Sequence, residues 1–189
     1  MHFLVLVIGE NPEQQLQKYH EFEATEDDDE YVLNIDVTNK IITQMNNGDS
    51  LRKAIYGGGL DTECIINDEN NINISDDHRF GYVLVKNGKV IKAIKRTNPN
   101  GKWAGYQLGG RFDGFKLKLG KVSPVAFKKD IDFTQFNVTY AVIKDSQWFS
   151  KEDIEGSSQE AGEKWRAKYW EMVNSAPDDT LFCLYDCHT

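Results

Sequence analysis

The side chains in this chain best suited to chemistry are two imidazoles, a carboxylate and two cations, and they come from three distant segments. They are His20 near the start, Lys102 and Arg111 in the middle, and Asp186 and His188 at the close. Two imidazoles and a cation are what metal-independent RNA cleavage requires. One imidazole abstracts the 2′-hydroxyl proton, the other protonates the leaving oxygen, and the cations stabilise the developing phosphorane. On a strand Asp186 and His188 share one face, while Cys183, Tyr185 and Cys187 share the other. The carboxylate and imidazole can therefore couple. Cys187 is a candidate nucleophile, but it sits opposite the imidazole that would serve it as base.

The middle segment, Thr97 to Phe112, packs turn formers, aromatics, a Lys and an Arg into sixteen residues. Gly109 and Gly110 would let backbone approach a ligand closely. Arg111 offers a planar fork to phosphate, Lys102 a point charge, and Trp103 or Tyr106 a stacking face. Lys95 and Arg96, just upstream, extend the cationic surface toward a substrate. A structural loop with core-capping aromatics is the competing reading. His20, Glu23, Asp186 and His188 could ligate a metal, but no HxH, HxxxE or CxxC spacing supports that. Neither metal nor cofactor is expected.

The elements that must position these residues belong to a chain of 189 residues, 40% apolar and 28% charged. This is ordinary globular composition, with no run near the ~20 apolar residues needed to cross a bilayer. His2–Ile8 opens without a basic n-region or cleavage site and reads as a first strand rather than a signal peptide. The three cysteines are odd in number, and Cys183 and Cys187, roughly 13 Å apart on a strand, are too distant to bridge. A reduced, cytoplasmic protein is expected.

The net charge of −8 is distributed unevenly. Residues 1–80 hold 17 acids and 5 bases, whereas residues 86–121 hold 10 bases and a single acid, Asp113. Overall acidity argues against indiscriminate nucleic-acid binding, and the basic segment still permits a local phosphate or nucleic-acid site. The acidic run Glu26–Glu30 is a solvated loop or a mimic of nucleic-acid charge.

Periodicity predicts short helices over 11–18, 39–46 (N-capped by Thr38) and 51–56 (N-capped by Ser50 and ended by Gly57–Gly59). Asn67–Asp77 is poor in core residues and reads as an insertion. Strands at 82–86 and 89–96 flank an Asn87-Gly88 turn of the kind that type I′ hairpins require. Alternation predicts a strand through Phe115, Leu117 and Leu119, and further strands at 138–143 and 181–187. Ser158 opens a long helix with Ala161, Trp165, Tyr169, Met172 and Val173 on one face. The expectation is an α+β fold: a mostly antiparallel sheet, one long helix in the C-terminal half and several short ones, with the last strand central because both its faces are apolar. One domain is expected over residues 1–189, with a variable insertion at about 26–79.

The opening VLVIGENPEQQLQKYHEFE, the central RTNPNGKWAGYQLGGRF and the closing PDDTLFCLYDCH resemble a widespread family of phage and mobile-element proteins, most without assigned function. Its central pattern reads N-P-N-x-K-W-D-W-Y-x-x-G-G-R-W, and its members often end in D-C-H. Ala104 and Gly105 stand where the family shows Asp and Trp, and Phe112 replaces the second motif Trp, so no role is given to position 104. The resemblance implies that His20, Lys102, Trp103, Tyr106, Gly109, Gly110, Arg111, Asp186 and His188 form one recurring set. It also suggests, by analogy with anti-CRISPR proteins, a counter-defence role. The implied partners are an RNA-guided host nuclease and its guide RNA, which would be inactivated by cleavage. Two alternatives stay open: a binding inhibitor using the acidic run, and a nucleotide-binding protein with Arg111 on phosphate.

Overall fold

The computed structural model describes residues 1–21, 30–73 and 78–189. In chain order the elements are β1 (His2–Ile8), α1 (Pro12–Gln17), β2 (Leu33–Asp36), α2 (Thr38–Asn46), α3 (Leu51–Gly58), β3 (Ile65–Ile66), β4 (Gly81–Lys86) and β5 (Lys89–Thr97). They continue with β6 (Gly105–Leu108), β7 (Phe115–Lys116), β8 (Val122–Ser123), β9 (Val125–Phe127), β10 (Ala141–Lys144), β11 (Gln147–Ser150), α4 (Ser158–Ser175) and β12 (Leu181–His188). The fold is α+β, with mostly antiparallel sheets, one long helix and three short ones among the described residues.

Two compact units divide the chain. Residues 1–19 and 102–189 form the first, and residues 20–101 form the second, inserted between Tyr19 and Lys102. The insertion read from sequence, 26–79, thus gathers with the following hairpin into one unit. Most of the acidic run Glu26–Glu30, and the part of Asn67–Asp77 from position 74 onward, lie outside the described residues.

In the first unit the sheet order is β11-β10-β1-β12-β6, with β9 also pairing with β12. β12 is interior, as its two apolar faces require. β1 runs antiparallel to β12 and parallel to β10. Leu6, Ile8, Phe182 and Leu184 face α4, whose Ala161, Trp165, Tyr169, Met172 and Val173 are all buried. The helix starts at a capping box in which the Ser157 hydroxyl accepts from the Glu160 N–H and the Glu160 carboxylate accepts from the Ser157 N–H. The Trp165 Nε1–H donates to the Thr139 carbonyl at 2.9 Å, so the indole is buried with its donor satisfied. The opposite sheet face carries Val5, Val7, Cys183, Tyr185 and Cys187, covered by Leu16, Tyr19 and Trp103.

The strand expected through Leu119 is shorter. Phe115 and Lys116 pair with β8, Leu117 makes an isolated bridge to Ile131, and Leu119 is almost fully exposed. The chain turns at Gly120 (φ +79), and its amide donates to the Leu117 carbonyl at 2.8 Å. The alternation of Phe115, Leu117 and Leu119 therefore stops being structural after its second member.

The second unit has the sheet order β2-β5-β4-β3. Its hairpin turns at Asn87 (φ 50) and Gly88 (φ 73), the left-handed pair that the dipeptide predicts. Ile41 and Ile55, from α2 and α3, are fully buried with Val83 and Ala93 of the sheet. α2 begins at Thr38 itself rather than after it, and the Thr38 hydroxyl instead accepts from the Ala93 amide at 2.8 Å. Ser50 caps α3 through the Lys53 N–H, and Gly59, left-handed at φ +82, ends it. No described helix is long and apolar enough to cross a membrane.

Candidate active site

Strand register assembles the site. Because β1 and β12 are antiparallel, His2 lies opposite His188 and Leu4 opposite Asp186. Side chains two apart on a strand share a face, so His2, Asp186 and His188 emerge together on the α4 side of the sheet, beyond the point where Leu6 and Leu184 fill the core. The His2 and His188 rings stack, with centroids 5.0 Å apart and planes inclined by 30°. Cross-strand neighbours directly opposite each other are the pairs close enough for such contact.

Asp186 is the hub. It is 5% exposed, and its Oδ1 lies 2.8 Å from His2 Nδ1. Its Oδ2 accepts from the Arg111 backbone N–H at 3.2 Å and lies 3.3 Å from Arg111 Nε. Burial alone would raise the pKa of this carboxyl. The His2 hydrogen bond, the Arg111 amide and the charges of both partners outweigh it and hold the group below its ordinary value. Asp186 is thus a carboxylate at neutral pH and accepts from His2 Nδ1–H. That leaves His2 Nε2 as the basic nitrogen of the neutral ring. The Arg111 side chain remains 56% exposed, so its guanidinium is held at one edge and open to an anion at the other.

Two glycines make these approaches possible. Gly110 (φ +55) opens the short turn through Arg111 and Phe112, and a Cβ there would run into the Asp186 side chain. Gly105, opposite His188 in β6, has the imidazole lying over its Cα, where a Cβ would meet His188 Cε1 and Nε2. Gly109 (φ +68) supports the same turn, and its amide donates to the Leu184 carbonyl at 2.8 Å. The close backbone approach expected of these glycines is made to Asp186 at Gly110, whereas Gly109 lies against the Asp113 carbonyl and Pro124.

The remaining sequence candidates separate. Lys102 belongs to the first unit. Its amide donates to Tyr19 O at 2.7 Å and its side chain is exposed, but the cation held on the carboxylate is Arg111. Trp103 is a correction to the stacking expectation. It is 1% exposed in the core beneath the sheet, with its ring edge-on to Tyr106 at 5.0 Å, and has no face left for a ligand. Tyr106 is partly exposed, but it pairs with Cys187 and packs edge-on to Tyr185, which puts it on the sheet face away from His188. Its neighbour Gln107, exposed and opposite Asp186, is on the site's face instead. Cys187 is fully buried, and desolvation with the nearby Asp186 charge pushes its thiol up to about 12, which disfavours the thiolate that a nucleophile needs.

His20, Lys95 and Arg96 belong to the second unit. The carbonyl of His20 accepts from Asn98 Nδ2 at 2.8 Å, and Lys95 and Arg96 line a cleft. Sequence reasoning missed His2, whose strand was read only as core. The available signal was parity: His2 continues the Leu4, Leu6, Ile8 face outward. Among the described residues no three His, Cys, Asp or Glu side chains gather as a metal site. No family profile matches the chain, and neither curated proteins nor solved structures give a match.

Proposed function

We propose that the His2–Asp186–Arg111–His188 cluster cleaves RNA by general acid–base catalysis without a metal. The reading rests on one observation: two stacked imidazoles at the sheet end, one of them oriented by a buried carboxylate that also holds an arginine. His2 Nε2 takes the 2′-hydroxyl proton, and the 2′-oxygen attacks phosphorus. The bond to the 5′-oxygen breaks, and His188, as the general acid, gives that oxygen its proton. The products are a 2′,3′-cyclic phosphate and a 5′-hydroxyl, with no net proton change. Arg111 stabilises the charge gathering on the non-bridging oxygens, and Asp186 stabilises the imidazolium formed at His2.

The resemblance to phage and mobile-element proteins supports a biological setting for this chemistry. In that reading the RNA is the guide of an RNA-guided defence nuclease, and the protein is a counter-defence factor acting in the host cytoplasm. An acidic chain attracts free RNA weakly, so a basic effector presents the guide to it.

The test incubates guide RNA with the purified protein, with and without the effector. Cleavage with a cyclic-phosphate end is expected, lost by roughly 10²-fold or more in His2→Ala and in His188→Ala. Intact RNA under both conditions, or unchanged cutting by both variants, overturns the reading. Inhibition of the effector without RNA cleavage, abolished by charge reversal at 26–30, would establish the binding inhibitor instead.

A further inference from the structure

The order of the strands gives the imidazole pair a direction. β12 lies between β1, which carries His2, and β6, which carries Gly105 and Gln107. Neighbouring strands are spaced by ~4.8 Å, so a path from His2 to His188 and on to Gly105 crosses the end of the sheet in even steps. His188 leans toward β6, because a Cβ on Gly105 would collide with its Cε1 and Nε2. Gln107 stands opposite Asp186 and two residues from Gly105, so its side chain leaves on the face that carries the cluster. It is exposed, and its side-chain amide makes no hydrogen bond among the described residues. The acid–base chemistry leaves this amide unused.

An RNA strand has a direction too. The base acts on the 2′-hydroxyl of the nucleotide before the scissile phosphate, and the acid on the 5′-oxygen of the nucleotide after it. With His2 as base and His188 as acid, the upstream nucleotide lies toward β1 and the downstream nucleotide toward β6. We infer that Gln107 hydrogen-bonds the base immediately downstream of the cleaved bond, and that this base is adenine. A glutamine amide offers one acceptor and one donor side by side. A single-stranded base exposes both its Watson–Crick and its Hoogsteen edge. Adenine alone presents an amino donor beside a ring-nitrogen acceptor on both edges, so it meets the amide in either orientation. The inference rests on the acid–base reading of the cluster and adds to it the polarity of the substrate and a specificity residue.

The test uses short DNA oligonucleotides that carry one ribonucleotide, which fixes the cut at a single bond. The bases before and after that bond are varied independently, and single-turnover cleavage is followed with the full chain in excess. Wild type is expected to cut ~3-fold or more faster when adenine follows the bond than when any other base does. Gln107→Ala and Gln107→Glu should each erase that preference. Glutamate keeps the shape but lacks the donor, and its charge repels every oligonucleotide alike, so the ratio between bases reports the lost donor. The wild-type ratios give an answer even if a variant fails to fold. Equal rates whatever base follows the bond, or a preference that both variants keep, overturn the inference and leave the acid–base reading standing. A downstream preference for another base overturns the adenine assignment, and an effect of the variants confined to the upstream base overturns the polarity. If wild type cuts none of the oligonucleotides, the acid–base reading falls and takes this inference with it.

Discussion

His2 and His188 stand directly opposite each other on two antiparallel strands, their rings stacked 5.0 Å apart, while only His2 is hydrogen-bonded to Asp186. Two like groups are thereby made unlike. The carboxylate fixes the tautomer and orientation of one ring only, and the proposed division of labour between the two rings rests on that difference.

The lowered pKa of Asp186 links this arrangement to folding. A carboxyl depressed in the folded state adds stability above its unfolded pKa, near 3.9, and loses it as pH falls through the folded value. Wild type should therefore be more stable than Asp186→Asn at neutral pH, with the difference closing in the acid range. Urea unfolding of both proteins from about pH 6 to pH 2 measures this. A gap that stays constant across the range would refute the assignment.

Gly105 and Gly110 are predicted to fail differently when replaced by alanine. At Gly110 the φ of +55 and the Asp186 side chain both oppose a Cβ, so Gly110→Ala should cost about 1–3 kcal/mol and disturb the Arg111 turn. At Gly105 the obstacle is the His188 ring, which can swing away. Gly105→Ala should therefore keep most of the stability while lowering RNA cleavage. Thermal melts paired with cleavage rates separate the two.

Trp103→Ala should cost about 3–5 kcal/mol, the range for removing a buried large aromatic. Denaturant unfolding gives the value. A near-neutral substitution would mean that the indole does not fill the core.

Iodoacetamide at neutral pH should leave Cys64, Cys183 and Cys187 unmodified in the native protein and label all three in urea. All three are buried. Desolvation raises each thiol, to about 11 at Cys183 and about 12 at Cys187. Mass spectrometry counts the adducts, and native labelling at Cys187 would reopen its candidacy as a nucleophile.

Local rules made much of the fold legible. The Asn87-Gly88 turn, the Ser50 cap and the apolar face of α4 each follow from a few neighbouring residues, and the structure has them where the sequence puts them. Long-range pairing was not legible. His2 was hidden because its role depends on standing opposite His188, 186 positions away. The sheet face of Tyr106 was not legible because nothing local reveals that it pairs with Cys187. Trp103 presented the composition of a binding aromatic, and only the packing around Tyr19 and Tyr185 makes it core. Asp186 and His188 were legible because strand parity is itself a local rule. The Asp186 partner Arg111 was visible as a cation but not as this carboxylate's cation.

The Lys102 amide meets the Tyr19 carbonyl at 2.7 Å, and these two residues bracket the entire span 20–101. That single hydrogen bond holds the entry and the exit of the span side by side within the first unit. A span whose ends are already held together can change length at small entropic cost. An engineer seeking a place to graft a foreign module would start at the same two residues.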